Sequence, residues 1–279
     1  MSYKTILVHV DHSKHAAERI KIAAKIAIDE NAHLIGAAMS GISRFIYQDN
    51  AFGIAGSIVS DQIDALYESA NQALTEFEAI AKSMGVLSYE KRLVDDEPEG
   101  GLVLQARYCD LVVVSQTDLD DSYARLVVDL PEYVMLNCAR PVLMVPYAGK
   151  FERLGTNPLV AWDGSMEATR AITNAIPLFK RAKHVTVAVF NPSTHYDSHG
   201  EQPGADVALY LARHGIEIEV LQQVSALDVG NSLLSLAADR ASDLIVMGGY
   251  GHTRFRELLL GGVTKTMLKT MTVPVLMSH

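Results

Sequence analysis

The sequence predicts an α/β protein of two tandem domains, each a five-stranded parallel sheet flanked by helices. Three observations predict it. The first is an internal repeat: "DLVVVSQTDLDDSYARLVVDLPEYVMLNCARPVLMVP" from Asp110 aligns without a gap with "DLIVMGGYGHTRFRELLLGGVTKTMLKTMTVPVLMSH" from Asp243, a shift of 133 residues. The second is the likeness of the two openings, "TILVHVDHSKHAAERIKIAAKIA" from Thr5 and "PLVAWDGSMEATRAITNAIPLF" from Pro158. The third is the alternation of short, almost wholly apolar β-rich runs with helical patterns, which implies a parallel sheet covered on both faces.

In the second half the strands read as "LVAWD", "HVTVAVFN", "IEIEVLQQ", "DLIVMGG" and "PVLMSH", with helical spacing at 165–182, 204–215, 228–240 and 262–271. The first half repeats this with "TILVHVD", "HLIGAAMS", "YEKRLV", "DLVVVSQ" and "PVLMVP". Its second helix, near Asp61 to Met84, is longer, and the loop before it, "GISRFIYQDNAFGIAGSIVS", is long and partly apolar. Each opening strand ends in an aspartate (Asp11, Asp163) followed by a serine (Ser13, Ser165) placed to cap the next helix. The domains are read as residues 1–148 and 156–279, joined near "YAGKFERLGTN".

Composition narrows the function. With 49% hydrophobic and 20% charged residues the chain is ordinary globular material. A net charge of −9 argues against nucleic-acid binding, which needs a field of Lys and Arg. No stretch approaches the roughly 18 apolar residues of a membrane span. The opening "MSYKTILVHVDHSKH" shows no export signal, so a cytoplasmic location is expected. Cys109 and Cys138 make no disulfide framework or zinc spacing, which suits a reducing compartment.

The chemistry concentrates in "GGYGHTRFRELLLGG", residues 248–262, where five glycines surround His252, Arg254 and Arg256. Glycines let backbone N–H groups approach a ligand closely, and the start of the following helix can hold an anion. The plain alternative is a strand-to-helix turn with no ligand. GxxxxGK[ST] fails, because Lys265-Thr266 would need glycine where Thr264 stands. GxGxxG fails too, since "DHSKHAAE" and "DGSMEATR" hold at most one glycine each. In open parallel sheets ligands bind beyond the carboxyl ends of strands at a switch point, and the Asp163 and Gly248 loops both lie at such ends.

The run "MGGYGHTRFRELLLGGVTKTMLKTMTVPVLM" resembles the signature of the universal stress protein family, whose nucleotide-binding members carry G-x2-G-x9-G-[S/T]. Gly248, Gly251 and Gly261 match, but Gly262 replaces the final Ser or Thr. The resemblance covers nearly the whole chain as a tandem protein with two such domains. It implies Rossmann-like, adenine nucleotide alpha hydrolase-like domains and a cytoplasmic stress-response role. The implied ligand is an adenine nucleotide, ATP, with or without Mg²⁺. Carried over residue by residue, Asp163 would meet the adenosine, and the backbone near Ala161, Trp162 and Phe190 would border the base. Met247, Gly248, Gly251, Gly261, Gly262, Val263 and Thr264 would contact ribose and phosphates. The missing hydroxyl at Gly262 removes one phosphate hydrogen bond, worth about 0.5–1.5 kcal/mol, for which Thr264 is the nearest substitute. Family domains pair through their last strands, which implies an intrachain pseudo-dimer able to dimerise through other surfaces.

The first half departs from the pattern. Ser115, Asp118, Val128 and Asp129 stand where Gly248, Gly251, Gly261 and Gly262 do, and like charge should reject ATP from that loop. One site per chain is expected. No nucleophile–base pair or paired catalytic carboxylates appear, so a regulatory or ligand-binding module is the first reading. A slow ATP hydrolase is the second. A third is a small molecule or metal in the N-terminal domain, under residues 43–60. His195, Asp197 and His199 offer zinc ligands without a spacing rule that selects them. For His9, His12 and His15, core packing and capping are weighed against a metal or proton relay.

Overall fold

The computed structural model describes residues 2–42, 56–121, 130–192, 202–225, 228–250 and 262–279, with side chains in the second of these from residue 63. The first repeat contains β1 (Thr5–His9), α1 (Ala16–Glu30), β2 (His33–Met39), α2 (Gly56–Met84), β3 (Tyr89–Val94), α3 (Pro98–Ala106), β4 (Leu111–Ser115), α4 (Leu130–Asn137) and β5 (Val142–Val145). The second contains β6 (Pro158–Ala161), α5 (Met166–Phe179), β7 (Val185–Phe190), α6 (Ala205–Arg213), β8 (Ile218–Gln223), α7 (Val229–Asp239), β9 (Leu244–Gly248), α8 (Val263–Thr270) and β10 (Val275–Ser278). Strands and helices alternate within each repeat, so the α/β reading holds.

Two compact units form, one from Tyr3–Arg140 and the other chiefly from Pro141–His279. In the first, β1 lies between β2 and β4, with β3 beyond β2, all parallel. In the second, the parallel order is β10-β9-β6-β7-β8. β5, the closing strand of the first repeat, pairs antiparallel with β10, Leu143 opposite Leu276. The unit boundary therefore falls before β5, although the repeat assigns that strand to the first domain. Near-complete burial of β1, β4, β6 and β9 explains their unbroken apolar sequence, since a parallel sheet covered by helices has no wet face.

The repeat also holds at the level of single bonds. Asp110 accepts from the N–H groups of Lys4 and Thr5, at 2.7 and 3.0 Å. Asp243 does the same for Thr156 and Asn157, at 2.8 and 3.0 Å. Each aspartate satisfies the donors at the entry of its repeat's first strand.

The two helix starts differ. Ser165 caps α5 as expected, its hydroxyl accepting from the N–H of Ala168 at 3.1 Å. Ser13 does not cap α1, which begins only at Ala16 and has no side-chain cap. Its hydroxyl instead donates to Asp11 Oδ1 at 2.6 Å. The reason is local: Asp11 is buried and holds Ser13 through both its N–H and its hydroxyl, whereas Asp163 is exposed.

Candidate functional site

In the second unit the chain leaves β6 and β9, which are neighbours, into helices that lead to opposite sides of the sheet order: α5 to β7, and α8 to β10. That reversal opens a crevice at the carboxyl ends of β6 and β9. A cavity of about 310 Å³ lies there. Ala161, Trp162 and Asp163 enter it from the end of β6, and Phe190 from the end of β7. Met247 and Gly248 reach it from β9, and Val263 and Thr264 from the start of α8. Gly262 is the N-cap residue of α8 and has no side chain with which to cap it. Gly251 and Gly261, with His252, Arg254 and Arg256, lie outside the described residues.

Trp162 is half-buried and its N–H donates to Ala188 O at 2.9 Å, carrying the β6–β7 ladder one residue further. Asp163 Oδ1 accepts from the N–H of Ser165 at 3.0 Å. Thr264 is buried and its Oγ1 accepts from the N–H of Tyr250 at 3.2 Å. Gly248 is glycine for a packing reason. A Cβ there would sit 2.6 Å from the N of Ala168 and 2.8 Å from the C of Glu167, because the first turn of α5 presses on the end of β9.

The sequence reading missed Ala188, Asn191, Tyr250, Val229 and Leu233, which also line the cavity. Asn191 and Tyr250 follow strand ends and the switch-point rule reaches them. Val229 and Leu233 stand four apart on α7, and only packing brings that face to the site. α7 comes close to α8 at Gly230, where a Cβ would lie 2.7 Å from Thr266 Cβ.

The equivalent place in the first unit is filled. Arg19, 1% exposed, donates from Nε to His9 O at 2.7 Å, from Nη1 to Ser115 Oγ at 2.8 Å and from Nη2 to Asp11 Oδ1 at 2.8 Å. With Asp11 set on Asp163, Arg19 falls on Ala171. The Asp118 loop closes over the turn before α1. His15 Nε2 and Asp118 Oδ2 are 2.9 Å apart, and the N–H of Lys14 donates to Asp121 Oδ2 at 2.9 Å. What remains among the described residues is a cavity of about 30 Å³, room for a water or two. Repulsion by Asp118 was the expected obstacle to a phosphate. The geometry adds a steric one, since carboxylates and a guanidinium occupy the space.

Burial raises the Asp11 carboxyl, but the Arg19 guanidinium, His9 and Ser13 together outweigh it and hold the group well below the usual carboxylate range. Burial pushes His9 down to about 4, further than Asp11 can lift it. The hydrogen bond from His15 draws Asp118 down as well. His9 closes β1 within the core, and His12 Nε2 meets Ser69 O at 2.7 Å. His9 is thus packed in the core, while His12 and His15 bond to neighbouring segments. Among the described residues no His/Cys/Asp/Glu group of three is placed to hold a metal, and His195, Asp197 and His199 lie outside them. No helix among the described residues is long and apolar enough to cross a membrane.

The model of the universal stress protein family matches the chain twice, over residues 2–146 and 157–279. Universal stress protein Slr1230 of Synechocystis is 26% identical over 145 residues, 52% of this chain and 49% of that protein. Universal stress protein MJ0577 of Methanocaldococcus jannaschii is 41% identical over 44 residues, 16% of this chain and 27% of that protein. The matches thus span about half the length of the first relative and about a quarter of the second. A crystal structure of a universal stress protein from Archaeoglobus fulgidus superposes with a TM-score of 0.72 at 16% identity, covering 98% of this chain and 94% of that one, a likeness of fold. Two family matches that together take in nearly every residue, over a fold built twice, leave one conclusion: the chain belongs to the universal stress protein family.

Proposed function

We propose that the second repeat binds one adenine nucleotide, ATP, with or without Mg²⁺, and that the chain acts as a regulatory or ligand-binding module in a stress response. One observation carries this reading: a 310 Å³ cavity at the β6–β9 switch point against a 30 Å³ remnant at the corresponding place in the first repeat. The larger volume sits at the lower end of small-molecule sites, about 300–1,000 Å³. Its wall is apolar on the side of Trp162, Phe190 and Leu233, suited to a base. The uncapped start of α8 suits a phosphate. Asp163, exposed and lining the cavity, is read as meeting the adenosine.

The pairing of β5 with β10 supports an intrachain pseudo-dimer in which the last strands of the two repeats join. Native mass spectrometry of the purified full chain, followed by calorimetric titration with ATP, tests the nucleotide reading. One bound equivalent per chain is expected. Two equivalent sites, or no binding at millimolar ATP, would overturn it.

A further inference from the structure

The end of β10 holds the turn that follows β9 at Gly249. The N–H of Gly249 donates to Ser278 O at 2.9 Å, and His279 Nδ1 lies 3.0 Å from Gly249 O. A carbonyl only accepts, so Nδ1 carries the proton and donates. Both polar groups of residue 249 are thus tied to consecutive residues of the neighbouring strand. One residue on, Tyr250 has φ +53, a left-handed conformation that costs a non-glycine residue energy unless its surroundings hold it. Its N–H is anchored to Thr264 Oγ1 at the start of α8. Asn174 of α5 donates to Ser278 Oγ at 3.1 Å, tying the same strand end to that helix.

The first repeat provides an internal control. There Pro146 stands at the place of His279, Pro131 at that of Thr264 and Ile22 at that of Asn174. None of these side chains can make a hydrogen bond. Every side chain of the clamp is present where the cavity is open and replaced where it is filled.

We propose that His279, through the Gly249 carbonyl, is a positioning residue that fixes the Gly248–Tyr250 turn for ligand binding in the second repeat. The inference rests on the nucleotide reading for its ligand, but the positioning has a readout of its own. His279 touches no ligand in this scheme. It sets the peptide planes between Gly248 and Tyr250, both of which line the cavity.

The full chain, His279→Ala and His279→Asn are compared by ATP calorimetry and by hydrogen exchange without nucleotide. An asparagine amide nitrogen falls near the place of Nδ1 and can make the same bond. His279→Ala is expected to raise the Kd for ATP about 3- to 10-fold, the worth of one hydrogen bond. It should also speed exchange at Gly249 and Tyr250 while leaving the thermal midpoint close to the parent's. His279→Asn should restore both. Parent-like affinity and exchange in His279→Ala, or an asparagine variant as impaired as alanine, would overturn the proposal. If the parent chain takes no ATP, the nucleotide reading fails by itself. Unchanged exchange in His279→Ala would then sink the positioning role separately.

Discussion

Arg19 Nη2 lies 2.8 Å from Asp11 Oδ1, both side chains buried, and this pair fills in the first repeat the ground that Ala171 and the exposed Asp163 leave open in the second. A buried guanidinium with three acceptors has no reason to leave, because every alternative strands a charge in the core. The same relationship explains why Ser13 abandons its capping role and why Asp11 stays ionised.

Removing Arg19 should be costly. Arg19→Ala is expected to lose about 3–5 kcal/mol in denaturant unfolding, since Asp11 is left buried and unpaired. Arg19→Ala combined with Asp11→Ala should recover part of that loss, giving a coupling free energy of opposite sign to the single effects. A loss below about 1 kcal/mol in the single variant would contradict the buried pair.

Acid should weaken the first unit in two stages. His9 has a folded pKa near 4 against 6.5 unfolded, so below pH 6.5 the unfolded chain binds the proton more readily. Stability then falls with pH between 6.5 and 4, by up to ~3 kcal/mol for a shift of this size. Asp11 is depressed, so its contribution is present above the ordinary carboxylate range and fades as pH falls below it. Urea midpoints of the parent and His9→Leu, taken from pH 7 to 4.5, check this. The variant should show the flatter profile, and parallel profiles would rule out the His9 contribution.

Restoring one glycine should not restore a site. Asp118→Gly removes a carboxylate from the loop but leaves Arg19, Asp11 and Ser115 in the way. Calorimetry should still find one ATP per chain. A second equivalent bound by this single variant would show that charge, not filling, closes the first repeat.

Gly248→Ala should disturb both fold and binding. Its Cβ would meet backbone atoms of Glu167 and Ala168, which cannot rotate away, so α5 must shift. A destabilisation of about 1–3 kcal/mol is expected, as for other overpacked sites, together with weaker ATP binding. An alanine variant with parent stability and affinity would mean the α5–β9 contact yields freely.

Trp162, the single tryptophan, is half-buried on the wall of the cavity. Its fluorescence should change saturably with ATP, and at higher concentration with ADP, which lacks the γ-phosphate contacts. A flat titration alongside a measurable heat of binding would place the base elsewhere in the cavity.

Much of this was legible in the sequence. Apolar runs marked the strands, and the ungapped repeat set Asp110 and Asp243 at matching places, where the structure shows matching bonds. The switch-point rule led to Trp162, Asp163 and Gly248 without any contact being known. These features are local, or repeat at fixed spacing, and pattern alone carries them.

Other features depended on distance in space. Nothing in "HSKHAAER" says that Arg19 will turn inward to Asp11 and Ser115, because an arginine on a helix is usually solvated and only the packed core removes its water. Ser13 and Ser165 look alike in sequence. One feeds a buried carboxylate and the other caps a helix, according to how deeply its aspartate lies. β5 belongs to the first repeat by sequence but joins β10 by hydrogen bonding, since an unpaired strand edge takes whatever partner its surroundings offer. Sequence determined the elements and their order. Tertiary structure decided which of two similar crevices stayed open, because burial sets whether a charge becomes part of the wall or stays at its rim.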